Sequence, residues 1–177
     1  MPGAWDGFEL AIRAVLGEEI SVSDAVRLAG RMVIAYGEPL AEPDHELTHA
    51  FPRPDVLARE DLTTLDVPKS RAATLSALAA AVVADPDVLS ASRGLAEAIQ
   101  RLRAIPGVSE QTAHRIAVRQ LREPDAFPAA DVSLARALAH LGGRRRSSRE
   151  LGARAERWRP WRAYAAQHLW ASLRRGE

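Results

Sequence analysis

The chain has 177 residues and a formal net charge of +1, so it is long enough for one domain or two small lobes but too neutral to indicate nucleic-acid binding by charge alone. It contains no cysteine, which excludes disulfides, thiol catalysis, cysteine-bound zinc and iron–sulfur clusters. Hydrophobic residues make up 47% of the chain and aromatic residues only 5%, and this Ala- and Leu-rich composition favours helices over strands.

Apolar residues recur at helical spacing along most of the chain, which predicts an all-α protein of roughly ten short helices. The predicted helices cover residues 5–17, 21–37, 55–59, 60–64, 69–85, 92–105, 109–121, 131–142, 148–158 and 160–174. Segment 38–54 is rich in proline and is predicted to be a loop, and no strand is expected. We expect a single domain over residues 1–177, with a middle lobe at about 25–122 and a second lobe formed by both ends of the chain.

No segment indicates secretion or a membrane span. An apolar run does not follow a basic start, and the longest Ala- and Val-rich run, Leu75–Ala84, is too short to cross a bilayer. We therefore expect a soluble, cytoplasmic protein that does not contact membranes. The arginine-rich segment 144–149 is interpreted first as a flexible loop and only second as a phosphate contact.

Residues 104–119, AIPGVSEQTAHRIAVR, predict a hairpin between two helices. Pro106 and Gly107 suit the two central positions of a type II turn, and Ser109 suits the N-cap of the second helix. Backbone N–H groups at such a helix start can bind a phosphate, although the segment by itself favours an ordinary helical hairpin. Glu110 stands at this helix start, where it competes for the same N–H groups and repels phosphate.

Asp131 ends a proline-broken segment and begins the next predicted helix. Asp is a preferred N-cap, so a structural role is one interpretation. The other is a carboxylate held at the mouth of a groove beside the hairpin.

The hairpin IPGVSEQTA, followed after about twenty residues by FPAADVSL, resembles the helix-hairpin-helix DNA glycosylases, which have a Gly/Pro-rich loop and an essential Asp. The segments DGFELAIRAVLGEEISVSDA and AERWRPWRAYAAQHLW are similar to the type II bacterial 3-methyladenine DNA glycosylases. This resemblance extends from about Trp5 to Leu173 and implies a compact two-lobed bundle with a helix-hairpin-helix motif. The β-rich N-terminal subdomain that is usual in the family has no counterpart here, so we expect a shortened form or a part of a longer protein.

The resemblance implies roles for individual residues. Asp131 matches the catalytic acid of the family. The hairpin positions that grip a DNA phosphate are matched by Ile105, Gly107 and Ser109. The base pocket is matched by Gln111, Arg115 and Trp170, and the turn that wedges into the duplex by Glu18 and Glu19.

The implied activity is base-excision repair by monofunctional hydrolysis of the N-glycosidic bond of alkylated purines. Gln111 stands where lyase-competent relatives carry a Schiff-base lysine, so strand cleavage is not expected. The implied partner is damaged double-stranded DNA, from which the target base is flipped out, and the protein is expected to act as a monomer. No cofactor is expected, except that the family hairpin often binds a monovalent cation through its backbone carbonyls.

The chain departs from the family pattern at the residues that contact DNA and the base. Ser109 replaces a glycine, Gln111 a tryptophan and Arg115 a tyrosine, and Glu19 places a carboxylate at the wedge. Three interpretations stay open: an active glycosylase with altered substrate choice, a weak or inactive relative that binds DNA, and a helical domain reused for protein or small-molecule binding.

Two other patterns are interpreted structurally. His45 and His49 are spaced for a metal but have no third ligand nearby, so no metal held by side chains is expected. The helical stripe of Trp158, Trp161 and Tyr164 favours a core position over stacking on nucleic acid.

Overall fold

The computed structural model describes residues 3–45, 47–90, 94–141 and 147–174, with the side chain of Arg174 left aside. In these ranges the protein is helical, which confirms the predicted fold class. The helices are α1 (Gly7–Leu16), α2 (Val22–Tyr36), α3 (Pro54–Leu57), α4 (Lys69–Ala84), α5 (Leu95–Arg103), α6 (Glu110–Arg119), α7 (Val132–His140), α8 (Ser148–Ala155) and α9 (Arg162–Arg174). Short 3₁₀ helices cover Leu62–Leu65, Pro86–Leu89 and Glu156–Trp158. Residues 144–146 of the arginine-rich segment 144–149 lie outside the described residues.

The predicted loop at 38–54 contains a small antiparallel hairpin instead. Strand β1 (Pro39–Asp44) pairs with β2 (Leu47–His49), with Pro39 opposite His49. Every residue of β1 is exposed, so the strand buries no face and leaves no alternation of apolar and polar residues in the sequence. The prediction that no strand forms was wrong for this reason.

Contacts divide the chain into two compact units. The turn unit comprises Trp5–Ser90 and Arg101–Val108. Its core is built around α4, which contacts both α1 and α3 and buries Leu75 and Leu78. The side chains of Asp6 and Ser21 cap α1 and α2, as Ser and Asp do at helix starts generally.

The aspartate unit comprises the described residues of Met1–Ala4, Ala91–Gln100 and Ser109–Glu177. Its core lies between α7, α8 and α9, where Leu134, Leu151 and Leu169 are buried. Trp158 packs edge-on against Phe127 with ring centroids 5.8 Å apart. The predicted aromatic stripe is therefore only partly a core feature.

The rest of that stripe faces solvent. Trp161 is 59% exposed and Tyr164 is 44% exposed, and their rings contact each other rather than the interior. The core prediction was wrong for these two residues, because α9 begins at Arg162 and its buried positions at the start, Ala163 and Ala166, fall on another face.

The two units do not follow the predicted lobe limits. The predicted lobes place α1 with the C-terminal end, but α1 contacts α4 within the turn unit, because its apolar residues, including Ile12 and Val15, are buried there. The boundary between the units passes through α5 and again before Ser109. That residues 1–177 form a single domain stays a prediction. Within the described ranges, no helix combines the length and the apolar character needed to cross a membrane.

Candidate active site and phosphate-binding hairpin

The turn between α5 and α6 has the geometry predicted from Pro106 and Gly107. The N–H of Val108 donates to the carbonyl of Ile105 at 3.1 Å, which closes a four-residue turn. Gly107 has φ 83°, the left-handed conformation that the third position of a type II turn requires. A Cβ at Gly107 would lie 1.9 Å from Thr74 Oγ1, so glycine is required by space as well as by conformation.

Ser109 caps α6, as predicted. The N–H of Thr112 donates to Ser109 Oγ at 3.1 Å. This side chain therefore satisfies one of the backbone donors that a phosphate at the helix start would use. Glu110, the first residue of α6, is exposed at the same end.

A cavity of about 500 Å³ in the turn unit brings together the two regions that the resemblance assigns to DNA contact. The predicted wedge residues Glu18 and Glu19 line it, as do Pro106 and Gly107 of the hairpin turn. Glu19 has φ 60°, so the wedge turn holds a residue other than glycine in the left-handed region. Arg71 also lines the cavity and donates from Nη2 to the backbone carbonyl of Glu18 at 2.6 Å.

Asp131 is the N-cap of α7 and one of the few buried polar residues, at 5% exposure. Its Oδ1 accepts the N–H groups of Ser133 at 2.7 Å and Leu134 at 3.3 Å. Its Oδ2 lies 3.1 Å from Nη2 of Arg115, with which it forms an ion pair. The predicted cap is confirmed, and both oxygens of the carboxylate have partners in the aspartate unit.

The predicted pocket residues Gln111 and Arg115 lie one helical turn apart on α6, and Arg119 follows after one more turn. The guanidinium of Arg119 lies over the ring of Trp170, with Cζ 5.2 Å from the ring centroid. Trp170 itself is half-buried beside the core of the aspartate unit. The aspartate unit therefore holds Asp131 with Arg115, and Trp170 with Arg119, as two contacts that each include an arginine of α6.

His114 supports the segment that leads to Asp131. Its Nδ1 accepts the N–H of Phe127 at 3.3 Å. Burial lowers the pKa of His114, and Arg162 lowers it further, while Glu110 opposes this shift. A neutral imidazole is the form that can accept this hydrogen bond at Nδ1.

Sequence reasoning missed four residues that shape these regions: Arg71, Thr74, His114 and Arg119. Arg119 could have been found, because it continues the i, i+4 spacing of Gln111 and Arg115. The other three act through contacts between residues far apart in the chain or with no local signature.

Among the residues described, no group of three or more His, Asp or Glu side chains could hold a metal ion. The expectation that side chains bind no metal stays a prediction.

No protein-family model matches the chain. The chain is 44% identical over 175 residues to the "Probable bifunctional transcriptional activator/DNA repair enzyme AlkA" of Mycobacterium tuberculosis, covering 98% of this chain and 35% of that protein. It is 32% identical over 173 residues to "DNA-3-methyladenine glycosylase 2" of Escherichia coli, covering 96% of this chain and 59% of that protein.

Over nearly its whole length the chain is similar to proteins named AlkA and DNA-3-methyladenine glycosylase. The resemblance inferred from the sequence is confirmed. A solved structure of the 3-methyladenine DNA glycosylase of Archaeoglobus fulgidus matches 98% of this chain and 60% of its own chain, with a TM-score of 0.80 at 22% identity, and shows the same glycosylase fold. The chain spans 35% and 59% of the two curated relatives, so it corresponds to part of each of those proteins.

Proposed function

We propose that this chain is a DNA glycosylase domain of base-excision repair, which hydrolyses the N-glycosidic bond of a damaged purine and leaves the strand intact. The observation that carries the proposal is Asp131, a buried carboxylate that two backbone N–H groups hold at the start of α7. Its position matches the family's acid, and relatives named as 3-methyladenine DNA glycosylases are similar over nearly the whole chain. Alkylated purines are the substrate class that those names support.

In the proposed reaction, the bond between C1′ of the sugar and the base nitrogen breaks, and its electron pair leaves with the base. The sugar develops oxocarbenium character, which the charge of Asp131 stabilises because it is fixed in place before the reaction. A water molecule then attacks C1′ and loses a proton, which Asp131 can accept. Gln111 has no nucleophilic amine, so no Schiff base forms with the sugar and no strand cleavage follows.

The proposed partner is damaged double-stranded DNA, bound by a monomer inside the cell. The turn Ile105–Val108 and the cap at Ser109 would face a phosphate, and the turn at Glu18 and Glu19 would fill the gap left by the flipped base. The shared cavity that these two turns line supports this assignment.

We also propose that a monovalent cation binds at backbone carbonyls of the hairpin turn, including that of Ile105. The donor chemistry fits, since carbonyl oxygens suit hard cations, and the Ile105 carbonyl, which accepts the Val108 N–H, has a second lone pair. A cation there would attract the phosphate that the turn faces. No side-chain ligand and no other cofactor is part of this proposal.

The test of the proposed function is base release by the wild-type chain and by Asp131→Asn. Asn is an equally good N-cap but cannot pair with the cation of Arg115, so we expect a lower melting temperature and a protein that circular dichroism still shows to be folded at the assay temperature. Removal of the carboxylate is expected to slow base release from an alkylated duplex by at least about 100-fold, the scale of one general-base or electrostatic group. Equal rates for the two proteins would show that Asp131 is only a helix cap.

One observation favours the alternative of a catalytically weak DNA-binding relative. Both carboxylate oxygens of Asp131 are occupied, one of them by the cation of Arg115. In that case duplex DNA binds and the affinity falls steeply with rising salt, but no base is released.

A further inference from the structure

The ion pair between Arg115 and Asp131 places a permanent positive charge beside the carboxylate on which the proposed reaction depends. The nitrogen and oxygen atoms are 3.1 Å apart, and the side chains are 29% and 7% exposed. Because little solvent reaches the carboxylate, this charge is weakly screened. A base that enters beside Asp131 therefore meets a guanidinium as well as a carboxylate.

A second arginine contacts Trp170, the aromatic residue that the resemblance assigns to the base pocket. Arg119 already lies over the ring of Trp170, at 5.2 Å from its centroid. The face of an electron-rich ring is where a cationic base gains most from stacking. A cationic base must displace Arg119 to stack on this face. An uncharged base gains less from the ring face, so it loses less binding energy if Arg119 stays in place and the base stacks elsewhere.

The charge of the base decides what the leaving group needs. An N-alkylated purine such as N7-methylguanine carries a positive charge in DNA and leaves as a neutral molecule, so a nearby cation only repels it. An uncharged purine leaves with the electron pair of N9 and becomes an anion, whose charge spreads to ring nitrogens and to any 6-oxygen. A guanidinium that donates hydrogen bonds to those atoms stabilises this developing charge.

We propose that Arg115 makes this site select uncharged purines with hydrogen-bond acceptors at N7 and at the 6-position, such as 6-oxopurines, over cationic alkylated purines. The fork of a guanidinium matches that pair of acceptors in geometry. The inference rests on the proposed glycosylase function and changes only the class of base. In the free protein Arg115 and Asp131 neutralise each other, and in the reaction each faces the opposite charge: Asp131 the sugar cation and Arg115 the purine anion.

Atoms and charges balance in this reaction. The C1′–N9 bond breaks, its electron pair stays on N9, and the oxygen of water then bonds to C1′. The proton lost by water and the proton gained by the purine are equal in number, so a free sugar hydroxyl and a neutral purine result. Arg115 takes part only by donating hydrogen bonds.

The test compares single-turnover excision of hypoxanthine and of N7-methylguanine from otherwise identical duplexes. The proteins are the wild type, Arg115→Tyr, Arg115→Lys and the control Arg154→Gln, which removes an exposed cation from α8. We expect Arg115→Tyr to slow hypoxanthine release and speed N7-methylguanine release, each about tenfold, which is within the discrimination that one bidentate contact provides. Arg115→Lys keeps the charge without the fork, so it is expected to lose hypoxanthine release only, and the control is expected to leave both rates unchanged.

A ratio of the two rates that stays within twofold of the wild type in Arg115→Tyr overturns the inference and leaves the glycosylase proposal intact. If no protein releases either base, the glycosylase proposal fails, and binding decides the inference instead. The measurement is then the affinity for duplexes in which 2′-fluoro sugars prevent cleavage of the same two nucleotides. A wild-type preference for the hypoxanthine duplex that Arg115→Tyr abolishes upholds the selectivity, and equal affinities overturn it.

Discussion

Each of the two candidate regions contains an arginine contact, and the two arginines bind different chemical groups. In the turn unit, Arg71 donates to the backbone carbonyl of Glu18 at 2.6 Å, next to a residue with φ 60°. In the aspartate unit, Arg115 binds the carboxylate of Asp131 at 3.1 Å. The first contact fixes the shape of a turn, whereas the second sets the net charge of a pocket. We infer that the turn region depends mainly on space and backbone conformation, and the aspartate region mainly on charge.

The largest effect is expected from Gly107→Ala, which adds one methyl group to the turn region. The new Cβ would lie 1.9 Å from Thr74 Oγ1, and the residue would have to keep φ 83°. Steric overlap and left-handed strain each cost about 1–3 kcal/mol, so we expect the free energy of unfolding to fall by about 3 kcal/mol. Denaturant unfolding followed by circular dichroism measures this change.

Gly30→Ala is the matched control for that substitution. Gly30 lies within α2, and an added Cβ meets no atom within 4 Å. Alanine is expected to stabilise the protein by about 0.5–1 kcal/mol, because it is the better helix former. If Gly107→Ala lowers the free energy of unfolding by less than about 1 kcal/mol, the turn can accommodate a Cβ by relaxing. The turn region would then not depend mainly on space and backbone conformation.

The contrast between the regions also explains what the sequence could predict. The caps at Ser109 and Asp131 and the turn at Pro106 and Gly107 depend on neighbours within four residues, so local rules located them. The contacts of the two arginines join residues that are 53 and 16 positions apart. No local pattern selects such partners, because they are set by how the helices pack.

The resemblance placed Arg115 in the base pocket but did not predict that it pairs with the acid. From the sequence, Asp131 agrees with the family pattern and Arg115 departs from it, and nothing links the two residues. The ion pair joins them into one electrostatic unit, on which the proposed choice of base depends. The exposed strands at 39–49 were missed for another reason, since a strand that buries nothing has no hydrophobic period to detect.

Glu19 tests the contrast between the two regions most directly. It lies in a turn whose backbone conformation matters most, yet its side chain carries a charge at the predicted wedge position. A carboxylate that enters the stacked duplex must give up its hydration, at a cost of several kcal/mol if it stays unpaired. We expect Glu19→Leu to raise single-turnover base release from a paired lesion by about tenfold, or about 1.4 kcal/mol of barrier. Release from a mismatched lesion, which is already loosely stacked, is expected to change less.

Two variants separate charge from shape in that experiment. Glu19→Gln removes only the charge and is expected to give part of the increase, while Glu60→Gln removes an exposed carboxylate elsewhere in the turn unit and is expected to leave the rate within twofold. Equal rates on paired and mismatched lesions that Glu19→Leu does not alter would show that Glu19 is not the wedge. The turn region would then contribute shape alone, as the contact of Arg71 suggests.

The smallest effect is expected from pH, and it should be confined to the aspartate region. Burial lowers the pKa of His114 below its ordinary value of 6.5, and its Nδ1 accepts the N–H of Phe127. As the pH falls below about 6.5, the unfolded chain binds a proton at this residue that the folded protein does not bind. The stabilising contribution is therefore complete above the unfolded pKa and declines as the pH falls toward the lower pKa of the folded state.

Unfolding by denaturant between pH 8 and pH 5 measures this contribution. His114→Asn keeps a neutral acceptor for the Phe127 N–H and cannot titrate, so we expect a smaller loss of stability over this range than in the wild type. His45→Asn, which changes a side chain that is 94% exposed, is expected to leave the slope as it is. If the free energy of unfolding falls equally with pH in His114→Asn and in the wild type, His114 is not the titrating group. The dependence on charge that distinguishes the aspartate region would then rest on the pair of Arg115 and Asp131.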